Sequence, residues 1–228
     1  NVVGRGYGGR IEGWGSFDLS PAKGSRFRCK LQAAGVDLAA VIRQLQPEPT
    51  RLEGVLDLQL FVHEGNTADW RTWNGEGEVS LRDGWIWSIP LFGVLSQPLD
   101  ALVPGLGRSR VTSGRATFGL TNGVLSSDSL ECRASTMRLL YRGRVGLDGK
   151  VDATVQAELL RDAWLVGRVL SLALWPVTKI FEFRVTGTLE EPKVEPLHIP
   201  RVLTIPLRPW QTLRDVLESV NPTPQSAP

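Results

Sequence analysis

Histidine and cysteine are nearly absent from this chain: its 228 residues carry two of each. His63 and His198 stand far apart with no HxxxH or HExxH context. A metal centre needs clustered His, Cys or carboxylate ligands, so no metal is expected and each histidine reads as a surface side chain. Two cysteines do not make a disulfide scaffold. Cys29 and Cys132 both fall in strand-like stretches and read as free buried thiols, which pack like small hydrophobes, with a bridge between them as the alternative. No serine sits in a GxSxG elbow, and the carboxylates of Glu190 and Glu191 are adjacent in a turn. Nothing assembles a nucleophile, a base and an orienting acid. The expectation is a protein that is not an enzyme and has no cofactor.

Charge of one sign is also lacking. The 26 Lys and Arg against 24 Asp and Glu leave a net charge of +2, and the arginines are scattered rather than striped. That argues against nucleic acid as a partner. The Gly4–Gly9 run lacks the strand before it and the helix after it that a phosphate loop requires; residues 1–8 read as a linker or the start of a strand. No apolar run is long enough to span a bilayer. The chain begins at Asn1 without a Met or signal peptide, so we expect a piece of a longer protein whose targeting element and membrane anchor precede it.

What is abundant is turn chemistry and alternation. With 24 Gly and 15 Pro, the chain is rich in breaks, and between them apolar residues recur at every second position, the mark of strands with one buried face. Ile11, Phe17 and Leu19 oppose Glu12, Ser16 and Asp18. Phe27, Cys29, Leu31 and Ala33 oppose Arg26, Arg28, Lys30 and Gln32. Leu52, Leu56, Leu58, Leu60 and Val62 oppose Glu53, Asp57, Gln59 and His63. Asp83-Gly84 carries a hairpin signal inside 76–87. From Val111 to Leu160 the pattern is a meander with turns at Asn122-Gly123 and Asp148-Gly149, where Leu139, Tyr141 and Val145 face Arg138, Arg142 and Arg144. Beyond it Val151, Val155 and Leu159 face Asp152, Thr154 and Glu158, so adjacent strands offer opposite charges. Ile180–Pro196 closes the series: Phe181, Phe183, Val185 and Leu189 alternate with polar residues, then Pro192 and Pro196 mark where the chain leaves the sheet.

Helices are the minority. Leu38–Leu45 has helical spacing after the N-cap Asp37. Ser88–Val103, interrupted by Pro90 and Pro98, reads as one or two short helices lying across an open end of the sheet. Arg161–Trp175 is very oily but, at fifteen residues and 1.5 Å each, covers only about 22 Å; it is expected to lie on the apolar face. Trp210–Val220 is amphipathic, within a Pro-rich extension over 197–228 that ends in a disordered tail. Eight tryptophans suit either core and rim packing or the rim of an apolar groove.

The order of these motifs resembles one family. FRVTGTLEEPKVEP, ending a strand in VTGTL before a Pro-flanked exit, is similar to the C-terminal signature of AsmA-like (AsmA/TamB-type) envelope proteins. Residues 33–65 resemble that family's helix and Gly-led return strand. Residues 75–99 resemble its strand, turn dipeptide and "IP-L" helix start, and 119–159 its meander, so the likeness covers 9–196. The resemblance implies an inner-membrane-anchored protein on the periplasmic side of a Gram-negative-type envelope, whose curved β-groove carries phospholipid towards the outer membrane.

The expected fold is therefore mainly β: a curled antiparallel sheet of eight to ten strands, groove- or taco-like over 9–196, with two to four short helices covering or capping its apolar face. The expected groove lining is Leu56, Leu58, Leu60, Leu139, Tyr141, Val145, Val155, Phe181, Phe183 and Val185. Its function would be binding or conduction of phospholipid acyl chains in outer-membrane biogenesis, with a further envelope protein as a possible partner. The alternative is a structural or assembly module supporting outer-membrane protein biogenesis, with a closed, packed core. Periodicity alone does not separate an open apolar face from a closed one.

Overall fold

A computed structural model describes residues 1–20, 22–45, 51–160 and 180–198. The helices read from the sequence at 161–175 and 210–220, and the tail, lie outside those residues. Among the described residues eleven strands form a single antiparallel sheet in which each pairs with its sequence neighbours. They are β1 (Val2–Gly6), β2 (Gly9–Asp18), β3 (Arg26–Asp37), β4 (Glu53–Asn66), β5 (Asp69–Trp85), β6 (Val111–Thr121), β7 (Val124–Ala134), β8 (Met137–Gly146), β9 (Lys150–Leu159), β10 (Ile180–Thr188) and β11 (Pro192–His198). β1 and β11 do not meet, so the sheet is not closed into a barrel. Helix α1 (Leu38–Leu45) follows β3, and α2 (Pro90–Gly93), α3 (Ser96–Leu102) and a 3-10 turn (Leu106–Arg108) lie between β5 and β6.

Turn chemistry explains the meander. Tyr7-Gly8 joins β1 to β2 with φ of 54° and 75°, and Asn122-Gly123 joins β6 to β7 with 51° and 72°. Positive φ at both central residues is the tight hairpin turn whose twist matches that of the flanking strands. Gly149, at φ 84°, turns β8 into β9 as expected.

Asp83-Gly84 does not reverse the chain. β5 runs on to Trp85, and between the β4 pairs Glu53↔Trp85 and Val55↔Arg82 the two residues Asp83 (φ 51°) and Gly84 stand opposite Gly54 alone, while the β6 ladder keeps one register through the same stretch. This is a β-bulge, and an Asp-Gly pair supplies the positive φ for a bulge as readily as for a hairpin. The reversal comes earlier, at Thr67-Ala68. There Asn66 accepts a bond from the Ala68 N–H at 2.8 Å, and the Trp73 indole donates to the Asn66 carbonyl at 2.9 Å. Trp70 and Trp73 are consequently strand residues.

The strand count exceeds the expected eight to ten at both ends. Residues 2–6 form β1 rather than a linker. At the other end the chain does not leave the sheet at Pro192: Pro192 and Pro196 pair with Gly187 and Phe183 as part of β11. Proline in a sheet belongs on an edge strand, so these prolines mark an edge rather than an exit.

The apolar face carries the core. One row runs Cys132↔Leu139↔Ala157↔Phe181 across β7–β10, and Phe92, Leu95, Leu99 and Leu106 from the helical segment join these residues in one buried cluster. The Ser88–Val103 helices thus lie on the sheet's second half. On the opposite face the anticipated charge pairing is present: Arg138 reaches Glu131 at 3.0 Å and Glu158 at 3.5 Å, and Asp152 is met by Arg184 at 3.3 Å. Such exposed pairs contribute a few tenths of a kcal/mol each, up to about 1; the apolar face holds the sheet.

Both cysteines are free, Cys132 buried and Cys29 half-buried. Desolvation, then the nearby Glu131 carboxylate, pushes the Cys132 thiol up to about 12. Since the thiolate is the reactive form, Cys132 is expected to resist iodoacetamide at pH 8 in the native protein and to react only on unfolding. Mass spectrometry of native and urea-treated samples reads this directly; rapid native labelling at Cys132 would contradict the packing described.

Candidate functional site: a half-covered apolar trough

The apolar face divides into two halves that differ in what lies on them. In the β8–β11 half, Leu139, Tyr141, Val155, Phe181, Phe183 and Val185 are 0–3% exposed. Phe92 of α2 meets Tyr141 edge-on at 5.0 Å, and the Tyr141 hydroxyl lies 3.5 Å from the Leu91 carbonyl. Burial pushes that phenol well above its ordinary range. Six of the ten expected lining residues are therefore packed core. Val145, near the end of β8, is half-buried.

In the β2–β5 half, Leu56, Leu58 and Leu60 of β4 share the face with half-buried neighbours on both sides. Register sets the rows: Ile11↔Ala33↔Leu58↔Val79, and beside it Gly13↔Leu31↔Leu60↔Gly77. These residues form the floor of a shallow apolar trough. At one end Phe27 packs edge-on against Trp73 at 5.1 Å and stacks on Phe17 at 6.1 Å. At the other end α1 leaves β3 and packs against β3 and β4. Val36 lies nine steps along β3 from Phe27, about 30 Å at 3.3 Å per step. That is as long as the hydrocarbon core of a bilayer, which is two acyl chains deep.

Glycines shape the floor. The Phe118 ring lies over Gly77, where a Cβ would sit 2.3 Å from it; the Phe27 ring covers Gly65 in the same way, at 2.7 Å, and Trp70 covers Gly123 at 2.3 Å. A neighbouring strand's aromatic fills each gap, which pins register.

The opposite face is polar and is hollowed as well. A cavity of about 860 Å³ is lined by Lys30, Gln59, Phe61, Glu76, Glu78 and Asp128, among others. Its charges are of both signs, and Glu78 is engaged by Arg115 at 3.0 Å. His63 stands exposed 3.9 Å from Glu76, and His198 is exposed at the end of β11. Among the described residues no group of three or more His, Cys, Asp or Glu could hold a metal ion, and no described helix is long and apolar enough to cross a membrane.

Sequence reasoning placed Leu56, Leu58 and Leu60 on the trough but missed Ile11, Leu31 and Val79 as their partners. Alternation assigns a residue to a face; it does not say which strand lies beside it. Only the Thr67-Ala68 reversal between β4 and β5 is tight enough to set a register; residues 19–25 separate β2 from β3 and α1 lies between β3 and β4, so no local turn signal fixes those two pairs. Comparison with known proteins adds no assignment: no family model, no curated protein and no solved structure matches the chain.

Proposed function

We propose that the open trough of the β2–β5 half binds phospholipid acyl chains, and that the protein works without catalysis in lipid handling between the inner and outer membranes. The observation that carries this reading is the contrast within one face. The β8–β11 half is filled by the protein's own helical segment, whereas Ile11, Leu31, Leu58, Leu60 and Val79 stay half-buried in an unbroken apolar strip. An apolar strip rimmed by polar residues marks a binding surface. Burying one CH₂ fully is worth about 0.8 kcal/mol; a chain lying in an open trough is covered on one side and gains roughly half that per carbon. The order of motifs resembling AsmA-like proteins supports the same reading, and that resemblance implies work on the periplasmic side of the inner membrane. The packed half carries the structural role that the alternative reading gave to the whole sheet.

The full chain purified from cells is expected to carry phospholipid detectable by mass spectrometry. Leu58→Arg, which sets a cation in the middle of the strip, is expected to cut the bound lipid at least fivefold. Because Leu58 is only half-buried, melting should move by a few degrees at most. A wild-type protein free of phospholipid, or a variant carrying as much lipid as wild type, would sink the proposal.

A further inference from the structure

Seven large hydrophobic residues stand exposed among the described residues, and five of them, Val2, Val3, Trp14, Phe17 and Leu19, belong to the first nineteen. Four of them occupy both faces of the β1–β2 hairpin, and Leu19 follows the end of β2. Val2 and Phe17 lie on the trough side, and Val3 and Trp14 on the polar side. Val2 and Val3 are 72% and 66% exposed. A free edge strand is ordinarily blunted by proline, by charge or by a bulge, because its unpaired amides invite another strand. The other edge follows that rule. Pro192 and Pro196 cannot donate to β10, so both occupy positions that face outward, where a further strand would find no donor.

β1 does not. Its sequence VVGRG holds no proline and one charge, and it pairs with β2 without a register shift. Counting from the Tyr7-Gly8 turn, Gly6↔Gly9 exchanges both backbone bonds and the pairs alternate from there. Val3 and Arg5 therefore turn their N–H and C=O groups away from β2. Two local features describe what would fit. Gly4 and Gly6 leave open space on the trough side, with nothing within 4 Å of where a Cβ would stand. Over Gly65 and Gly77 of this sheet the covering ring comes from the neighbouring strand, Phe27 and Phe118 respectively. On the polar side Arg5 stands opposite Arg10, whose carboxylate partner is Glu12, and Arg5 makes no ion pair among the described residues.

We propose that β1 is an interior strand of the working sheet, completed by an incoming β-strand that presents a large apolar or aromatic side chain over Gly4 and a carboxylate to Arg5. The occupant is a strand of another polypeptide segment with alternating apolar and acidic residues. A second copy of this chain fits poorly: its own Val2–Gly6 brings an arginine and no acid, and its β11 edge carries proline at two outward positions, 192 and 196. Strand addition of this kind draws affinity from main-chain hydrogen bonds and specificity from alternate side chains. It extends the apolar face, and does not depend on what that face binds.

The probe is a capped heptapeptide alternating Glu with Phe, and its twin with Lys in place of Glu, each added to the full chain. Amide hydrogen exchange is read at Val3 and Arg5. The Glu peptide is expected to slow both amides at least tenfold and the Lys peptide to leave them within twofold. In Val3→Pro, which removes an outward donor at an edge position that tolerates proline, protection of Arg5 should be lost while the β1–β2 hairpin amides keep theirs. No protection by the Glu peptide, equal protection by the Lys peptide, or protection that rises with protein concentration alone and so reports self-pairing would each overturn the proposal.

Discussion

Phe183→Ala is expected to destabilise the protein by about 3–5 kcal/mol, the usual cost of removing a fully buried ring. Phe183 has no exposed surface, and in β10 it lies between Val155 of β9 and Pro196 of β11. Its neighbours belong to backbone strands on both sides, so they cannot move into the space without breaking ladder bonds, and the cavity stays open. In a chain of this size about 1 kcal/mol moves the melting midpoint by roughly 2–4 °C, so a fall of some 6–20 °C is the readout. Leu58→Ala provides the comparison. At a half-buried position it should cost less than about 2 kcal/mol, because only part of its side chain leaves water on folding. Equal losses at the two sites would mean that the two halves of the face are equally packed.

Gly143→Val should be comparably damaging for the opposite reason. A Cβ at Gly143 would lie 2.4 Å from the Ala153 Cα and 2.4 Å from the Asp152 carbonyl oxygen, both backbone atoms of β9. No rotamer change relieves contact with a neighbouring backbone, so β8 and β9 must part. The pair Gly143↔Ala153 sits between Tyr141↔Val155 and Val145↔Val151, and separation there lifts the floor beneath α2. Overpacking of this kind costs about 1–3 kcal/mol and occasionally more; with backbone atoms of β9 as the obstruction we expect the upper end, seen as a lower denaturation midpoint and faster exchange of the β9 amides. Gly119→Ala is the control. Its nearest neighbour would be the Ser126 hydroxyl at 3.7 Å, an ordinary contact, so stability should change by less than about 0.5 kcal/mol. If Gly143→Val proved equally silent, the close approach of β8 to β9 would be disproved.

Faces were easier to read than partners. The two-residue rhythm of Phe181, Phe183 and Val185 assigned them correctly to the apolar side, and Asn122-Gly123 and Asp148-Gly149 turned where their backbone preferences require. Residues 2–6 were legible only as either a linker or the start of a strand, and 192–198 only as an exit, for the same physical reason: glycine and proline weaken a strand's intrinsic preference, and an edge tolerates both because only one side must pair. Asp83-Gly84 was misjudged because a bulge and a hairpin make the same demand on φ. Which half of the apolar face is covered was not legible at all. It depends on where Phe92, Leu95 and Leu99 fold back, and nothing local to Ser88–Val103 fixes that direction.

The purely sequential strand order also has a mechanical meaning. Every ladder joins a strand to the one before or after it, so among the described residues no ladder ties the two ends of the sheet together. Force applied to Val2 peels β1 from β2, then β2 from β3, one row of bonds at a time, as a zipper opens. Resistance is uneven along that path. The first strands hold mostly half-buried and exposed side chains, with Phe27, Val36 and Val62 buried outside the main cluster, and that cluster begins beyond β5. A tug from the β1 side should therefore meet little opposition until it reaches the strands lying under α2 and α3, where the sheet behaves as a rivet that keeps the remainder in place.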